Sequence, residues 1–270
     1  MTDPMVAHIA ILVVAGVVVG YASGLFGIGG GVILVPTFLT VFPLFGVGSH
    51  VIMHCAVGTC LALVVPAAIA SAWKHRALGN LDVSFLRKWV PGVVVGTVIG
   101  ALTVTFLHTR DLKIIFTVYL ILTTLYVAFT KASETGEESG PGRGAVVVGS
   151  TVIANLSVWL GLGGGTFSVP YLRAFHYPMR KAIAVSAATG VVIGTGGAIG
   201  AIIQGIGVPG RSPYAIGFVD GLSFGVIAPI VMVFAPLGAK AAAKAPDLVL
   251  KWTYVALLAG ISVYMSVRTL

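Results

Sequence analysis

The chain has 270 residues, 57% of them hydrophobic and only 9% charged, with a mean hydropathy of +1.05. A soluble domain carries roughly a quarter charged residues, so this chain cannot cover a water-facing surface. Its formal net charge of +8 rests on Lys and Arg in short loops between apolar runs. No basic helix or aromatic-basic platform accompanies them, which argues against a nucleic-acid partner and for a lipid bilayer.

The N-terminus, Met1-Thr2-Asp3-Pro4, lacks the basic region of a cleaved signal peptide, so the apolar run 6–26 is expected to remain as a first membrane helix. The cluster Gly29-Gly30-Gly31 interrupts the chain, and the next apolar segment, 31–45, is short. Segments 51–73, 88–107 and 112–130 are long enough to span as helices. Cys55 and Cys60 lie together in the first of these, too close on a helix to bridge. Residues 131–143 (KASETGEESGPGR) form a polar linker. Segments 144–162, 166–176, 182–204, 219–237 and 250–268 follow; 166–176 is again short and again follows a glycine cluster, Gly163-Gly164-Gly165. No segment has the alternation of an outer-membrane barrel, so the expected class is an all-α polytopic membrane protein.

The central linker invites a search for a repeat. Gly27-Ile28-Gly29-Gly30-Gly31-Val32-Ile33-Leu34-Val35-Pro36 matches Gly161-Leu162-Gly163-Gly164-Gly165-Thr166-Phe167-Ser168-Val169-Pro170 at an offset of 134 residues. Ala56-Val57-Gly58 resembles Ala184-Val185-Ser186, and Gly79 to Asp82 echoes Gly217 to Asp220. Loop charges then set the relative orientation of the halves. Residues 42–50 hold no Lys or Arg, while their counterpart has Arg173, Arg180 and Lys181. Residues 74–88 hold Lys74, Arg76, Arg87 and Lys88, while the counterpart near 205–220 has only Arg211. Under the positive-inside rule the halves are inverted. The expected fold is two inverted repeats, 1–130 and 144–270, of about five membrane helices each, with glycine-interrupted or re-entrant short helices. With the linker 131–143 in the cytoplasm, 12 of the 16 Lys and Arg lie inside and both termini lie outside.

Inverted repeats of transporters hold substrate near the midplane, where helices are interrupted. Gly29, Gly30 and Gly31, with Gly163, Gly164 and Gly165, are the interruptions here. Two readings are open: backbone amides leading into a helix N-terminus and favouring an anion, or close helix packing. Duplication favours the first. Among polar residues inside apolar segments, Thr59, Asn155, Ser157, Thr166, Ser168, Ser186, Thr189 and Gln204 can donate hydrogen bonds to an oxyanion; Asn155, Thr166 and Ser168 flank the second cluster. His50 and His54, spaced i, i+4, are candidates for a gate or proton site near the outer mouth. No carboxylate completes a metal set with them, and no metal or cofactor is expected. All eight acidic residues fall in loops or at segment ends, so any proton coupling must use a histidine, an end-of-helix carboxylate or the substrate itself.

The doubled G-x-G-G-G-x-x-x-V-P motif, Ala56-Val57-Gly58-Thr59, and His75 followed by Gly79-Asn80-Leu81-Asp82 resemble the TauE/SafE sulfite-exporter family over nearly the whole chain. The resemblance implies a bacterial plasma-membrane permease for small sulfur-containing anions such as sulfite, thiosulfate or sulfonates, some relatives being linked to other organic anions. The second half departs from the first, with Ser186-Ala187-Ala188-Thr189 in place of Gly58-Thr59-Cys60. The expected mechanism is alternating access. The rivals are a passive anion channel of the same architecture and a membrane-embedded enzyme, for which no nucleophile–base or metal set is found beyond the His50 and His54 pair.

Overall fold

A computed structural model describes residues 4–26, 30–129, 141–242 and 245–269. Ten helices follow one another among them: α1 (Pro4–Phe26), α2 (Gly31–Val41), α3 (Ile52–Ala77), α4 (Val83–Thr103), α5 (Thr109–Phe129), α6 (Arg143–Leu160), α7 (Gly165–Ala174), α8 (Met179–Gly205), α9 (Gly221–Ala242) and α10 (Asp247–Thr269). Eight helices of the described residues are long and apolar enough to cross a bilayer. The exceptions are α2, with 11 residues, and α7, with 10. At about 16 and 15 Å they reach half of a hydrocarbon core of about 30 Å. The two short segments expected from the sequence are these two helices. The chain is an all-α polytopic membrane protein, apart from one small hairpin of β1 (Ala215–Ile216) and β2 (Val219–Asp220) ahead of α9.

The broadest helix contacts join α1 to α9, α4 to α6, α3 to α8 and α5 to α10. Advancing every helix of the first half by five, and returning every helix of the second, maps this set of pairs onto itself. Small residues set the spacing, as membrane interfaces require. Gly92, Gly96 and Gly100 of α4 lie successively against Ser150, Thr151 and Asn155 of α6, so these helices run the same way. Gly16 and Gly20 of α1 lie against Ile230 and Phe234 of α9, again in parallel. Gly190 and Gly194 of α8 lie against Ala68 and Leu61 of α3, so the central pair is antiparallel.

Loop contacts define the two ends of the bundle. At one, the Tyr177 hydroxyl donates to Asp82 Oδ2 at 3.0 Å, joining the turn before α4 to the turn before α8. At the other, the Gly48 N–H donates to the Gly210 carbonyl at 2.7 Å, and the Thr109 hydroxyl donates to the His50 carbonyl at 2.7 Å. The basic loops around 74–88 and 173–181 therefore share one end. Between the ends the outer surface is apolar: Val94, Val98 and Leu102 of α4 and Val118, Leu122 and Leu125 of α5 are exposed, as lipid contact demands. Trp73, Phe129 and Trp252 stand exposed towards the basic end, the level at which aromatic side chains meet lipid headgroups.

Two turns, one in each half, are alike in backbone detail. Gly79 (φ 69°) and Gly217 (φ 61°) both turn the chain in the left-handed region. Three residues later in each half an aspartate caps a helix. Asp82 accepts from the Phe85 N–H at 3.0 Å, and Asp220 accepts from the Ser223 N–H at 2.7 Å.

Candidate functional site

The two glycine motifs touch. A Cβ placed on Gly31, the first residue of α2, would lie 2.2 Å from the Gly161 carbonyl oxygen, so only glycine permits this approach. Gly161 in turn lies against Val57 and Cys60 of α3. Gly164 packs on Thr189 and Ile193, halfway along the 27-residue α8. The second motif thus descends from α3 to the middle of the bundle, and α7 starts there. Its first amides have no acceptor within the helix, and its N-terminus carries the positive end of the helix dipole. Of the candidate glycines, Gly163 and Gly164 are buried, Gly165 opens α7, Gly30 precedes α2 at φ 79°, and Gly29 lies outside the described residues.

Hydroxyls around this point fall into two groups that the sequence did not separate. Thr59, Thr166 and Thr189 donate to the carbonyls of Cys55 (2.7 Å), Gly163 (3.1 Å) and Val185 (2.8 Å), spending their protons on the backbone. Ser157, Ser168 and Ser186 are buried, and their hydroxyls have no partner among the described residues. They stand on α6, α7 and α8, three helices in mutual contact beside the second motif. A buried hydroxyl without a partner is costly unless something else satisfies it. An oxyanion would, through charge-assisted bonds. Asn155 is half-buried, on the stretch of α6 whose backbone meets Gly100 of α4. Gln204 donates its amide N–H to the Ala101 carbonyl, leaving Oε1 unpartnered.

The histidine pair does not form a helical face. α3 begins at Ile52, so His50 sits in the preceding turn, exposed, with Nε2 3.3 Å from the Pro209 carbonyl. His54, within α3, lies against the Phe218 ring at 5.3 Å and lines a small cavity with Gly58, Ala201 and Gln204. The i, i+4 spacing carries geometry only when both residues are helical. The structure separates them to the two sides of that boundary.

Comparison with known proteins agrees with this architecture. The chain is 30% identical over 265 residues to a probable membrane transporter protein of Haemophilus influenzae, covering 98% of this chain and all of the relative. It is 29% identical over 200 residues to one of Methanocaldococcus jannaschii, covering 70% of each, and 23% identical over 195 residues to the Bacillus subtilis protein YunE, covering 65% of this chain and 71% of that one. No solved structure matches. The family model for the sulfite exporter TauE/SafE matches residues 12–265, and this multi-pass membrane protein belongs to that family.

Proposed function

We propose that the chain is a secondary transporter that moves small sulfur-containing or organic anions, of sulfite, thiosulfate or sulfonate type, across the bacterial plasma membrane by alternating access. The anion is held where the glycine motifs meet, by the amides that open α2 and α7 and by the Ser157, Ser168 and Ser186 hydroxyls. The observation that carries this reading is the Gly31–Gly161 approach beside buried hydroxyls that lack partners among the described residues. Such a place offers donors to a negative charge in an otherwise apolar bundle.

The moving parts are the two repeats, 1–130 and 144–270, in opposite orientation and joined by the cytoplasmic linker 131–143. The parallel pairing of α1 with α9 and α6 with α4 and the gathering of basic loops at one end favour this arrangement. Both termini then face outward. Family membership favours transport over catalysis.

Flux in proteoliposomes tests the proposal. Vesicles are given sulfite, thiosulfate, short sulfonates or matched carboxylates, with and without a pH gradient. Saturable flux and counter-transport of a sulfur anion are expected. Saturable flux of carboxylates alone would remove the sulfur assignment, and unsaturable flux without counter-transport would make the protein a channel.

A further inference from the structure

The sequence places Asp220 at a helix end, where carboxylates are ordinarily wet. The structure encloses it: Asp220 is 2% exposed and Ser223 is fully buried. Asp220 Oδ1 accepts from the Ser223 N–H, while Oδ2 and the Ser223 hydroxyl have no partner among the described residues. The repeat supplies an internal control. Asp82, the equivalent cap of α4, is only half-buried, and its Oδ2 accepts from the Tyr177 hydroxyl. Its carboxyl is also drawn on by the Lys181 ammonium. Two aspartates thus share one capping role, and only one keeps a buried, open oxygen.

Among the described residues no charged group bonds that oxygen. Asp220 makes no ion pair among the described residues. Arg211, in the loop after α8, commits its Nε to the Val208 carbonyl at 2.6 Å and Nη1 to the Gly217 carbonyl at 3.3 Å. From α3, the Cys55 thiol feels both Asp220 and Arg211 through space, and His54 is held behind the Phe218 ring. Just ahead of β1, Tyr214 offers its carbonyl to the Gly221 N–H. α8 contributes Ala201 and Ile202, which contact Phe218 and Gly217 and carry no charge. A bare carboxylate in such surroundings is costly and is normally paired or neutralised.

We propose that Asp220, with the Ser223 hydroxyl beside it, binds a monovalent cation, a proton or Na+, and that this occupancy is coupled to the anion site. The coupling rests on the anion-transport reading above; the cation site does not. The route is short. Residues 57–60 of α3 lie between the two places: Val57 and Cys60 abut Gly161 of the second glycine motif, Gly58 abuts the Phe218 carbonyl, and the Thr59 hydroxyl accepts the Asp220 N–H at 2.9 Å. Any shift of the 215–220 hairpin on neutralisation therefore acts on the turn of α3 that supports the glycine motif.

Cation binding is read first in purified protein with no anion present. Asp220→Asn removes the charge but keeps the helix cap, because Asn caps as well as Asp. Thermal unfolding is followed as NaCl replaces choline chloride at constant ionic strength, and infrared difference spectra are recorded for a protonated carboxyl. If Na+ is the ligand, Tm of the wild type rises by about 3–5 °C at tenfold its Kd and that of Asp220→Asn does not. If a proton is the ligand, the wild type has a protonated-carboxyl band that Asp220→Asn lacks. Absence of both signals in the wild type, or persistence of either in Asp220→Asn, overturns the site. Should that variant not fold, Ser223→Ala reads the same place. It is expected to shift the band or to raise the Na+ requirement about tenfold, and an unchanged value counts against the proposal. Coupling is then read in vesicles. Asp220→Asn is expected to keep exchange of labelled for unlabelled sulfite while losing at least tenfold of the accumulation driven by a pH or Na+ gradient. Accumulation equal to wild type refutes coupling. A wild type that exchanges neither sulfite nor any other anion tested defeats the transport reading and leaves the cation measurement standing.

Discussion

Ser186 and Thr189 sit less than one turn apart on α8, yet their hydroxyls have different prospects. Thr189 already donates to Val185, while Ser186 has no partner. Removing Ser186 or Ser168 therefore breaks no side-chain bond among the described residues. Ser186→Ala and Ser168→Ala are expected to leave Tm in detergent unchanged within about 1 °C, since no internal bond is lost. Each should raise the KM for the transported anion about tenfold, the scale of one bond to a charged group. A fall in Tm with unchanged KM would make these hydroxyls structural. Gly31 behaves differently, because its constraint is steric. Gly31→Ala forces a methyl against the Gly161 carbonyl, parts the two motifs and destabilises by about 1–3 kcal/mol. Transport should fall with it, whereas Gly164→Ala meets only side-chain atoms of Thr189 and Ile193 at 3.0 Å or beyond and should keep most activity. The sequence marks these polar residues inside apolar segments and sets Asn155, Thr166 and Ser168 beside the second glycine cluster. Which hydroxyl is spent on its own helix was not legible there, because serine and threonine choose that bond by rotamer and neighbours, which periodicity does not carry.

The elements show where local chemistry overrides hydropathy. The apolar run starting at 88 predicts a helix from there, but α4 begins at Val83 because Asp82 caps it through the Phe85 amide and lets Arg87 and Lys88 enter the first turns. Partial burial pushes the Asp82 carboxyl up, but the Phe85 amide, the Ser84 and Tyr177 hydroxyls and the Lys181 charge outweigh it, so its folded value lies below the ordinary carboxylate range. The contribution of this charge is thus complete above the unfolded value, near pH 4, and is lost as pH falls through the lower folded value. Asp82→Ala should lower stability by about 1 kcal/mol at pH 7, the cost of a lost N-cap. The difference from wild type should shrink in unfolding curves taken below about pH 4. A difference independent of pH would remove the charge from the account. The short helices α2 and α7 were legible, since glycine clusters and short apolar runs bound them on the page. The hairpin at 215–220 was not. Its strands are two residues long, held in place by Gly58, Gly205 and Gly217 against α3 and α8, and no two-residue strand leaves a periodic pattern. For the same reason the burial of Asp220 could not be read from its place at a segment end.

At the scale of the molecule the decisive feature is interleaving. α1 packs on α9 and α6 on α4, so neither half completes its packing alone. Of the linker expected at 131–143, residues 131–140 lie outside the described residues. This exchange of partners was not legible in the sequence, because apolar faces that meet lipid and faces that meet a helix have the same composition. The opposite orientation proposed for the halves makes a prediction that does not depend on substrate. Cys55 and Cys60 are both buried, so single introduced cysteines can be labelled on a silent background. Ser49, in the turn before α3, and Ala174, which ends α7 ahead of α8, are exposed. A membrane-impermeant maleimide added to intact cells should label Ser49→Cys and the exposed Pro213→Cys. Leu78→Cys and Ala174→Cys should react only after the membrane is opened. Labelling of Ser49→Cys and Ala174→Cys from the same side would make the repeats parallel. The two halves could then not exchange roles between inward- and outward-facing states, and alternating access would need another pair of moving parts. Opposite labelling would place the Gly31–Gly161 contact between two halves that each face the other way, the geometry in which rocking exposes one site to each side in turn.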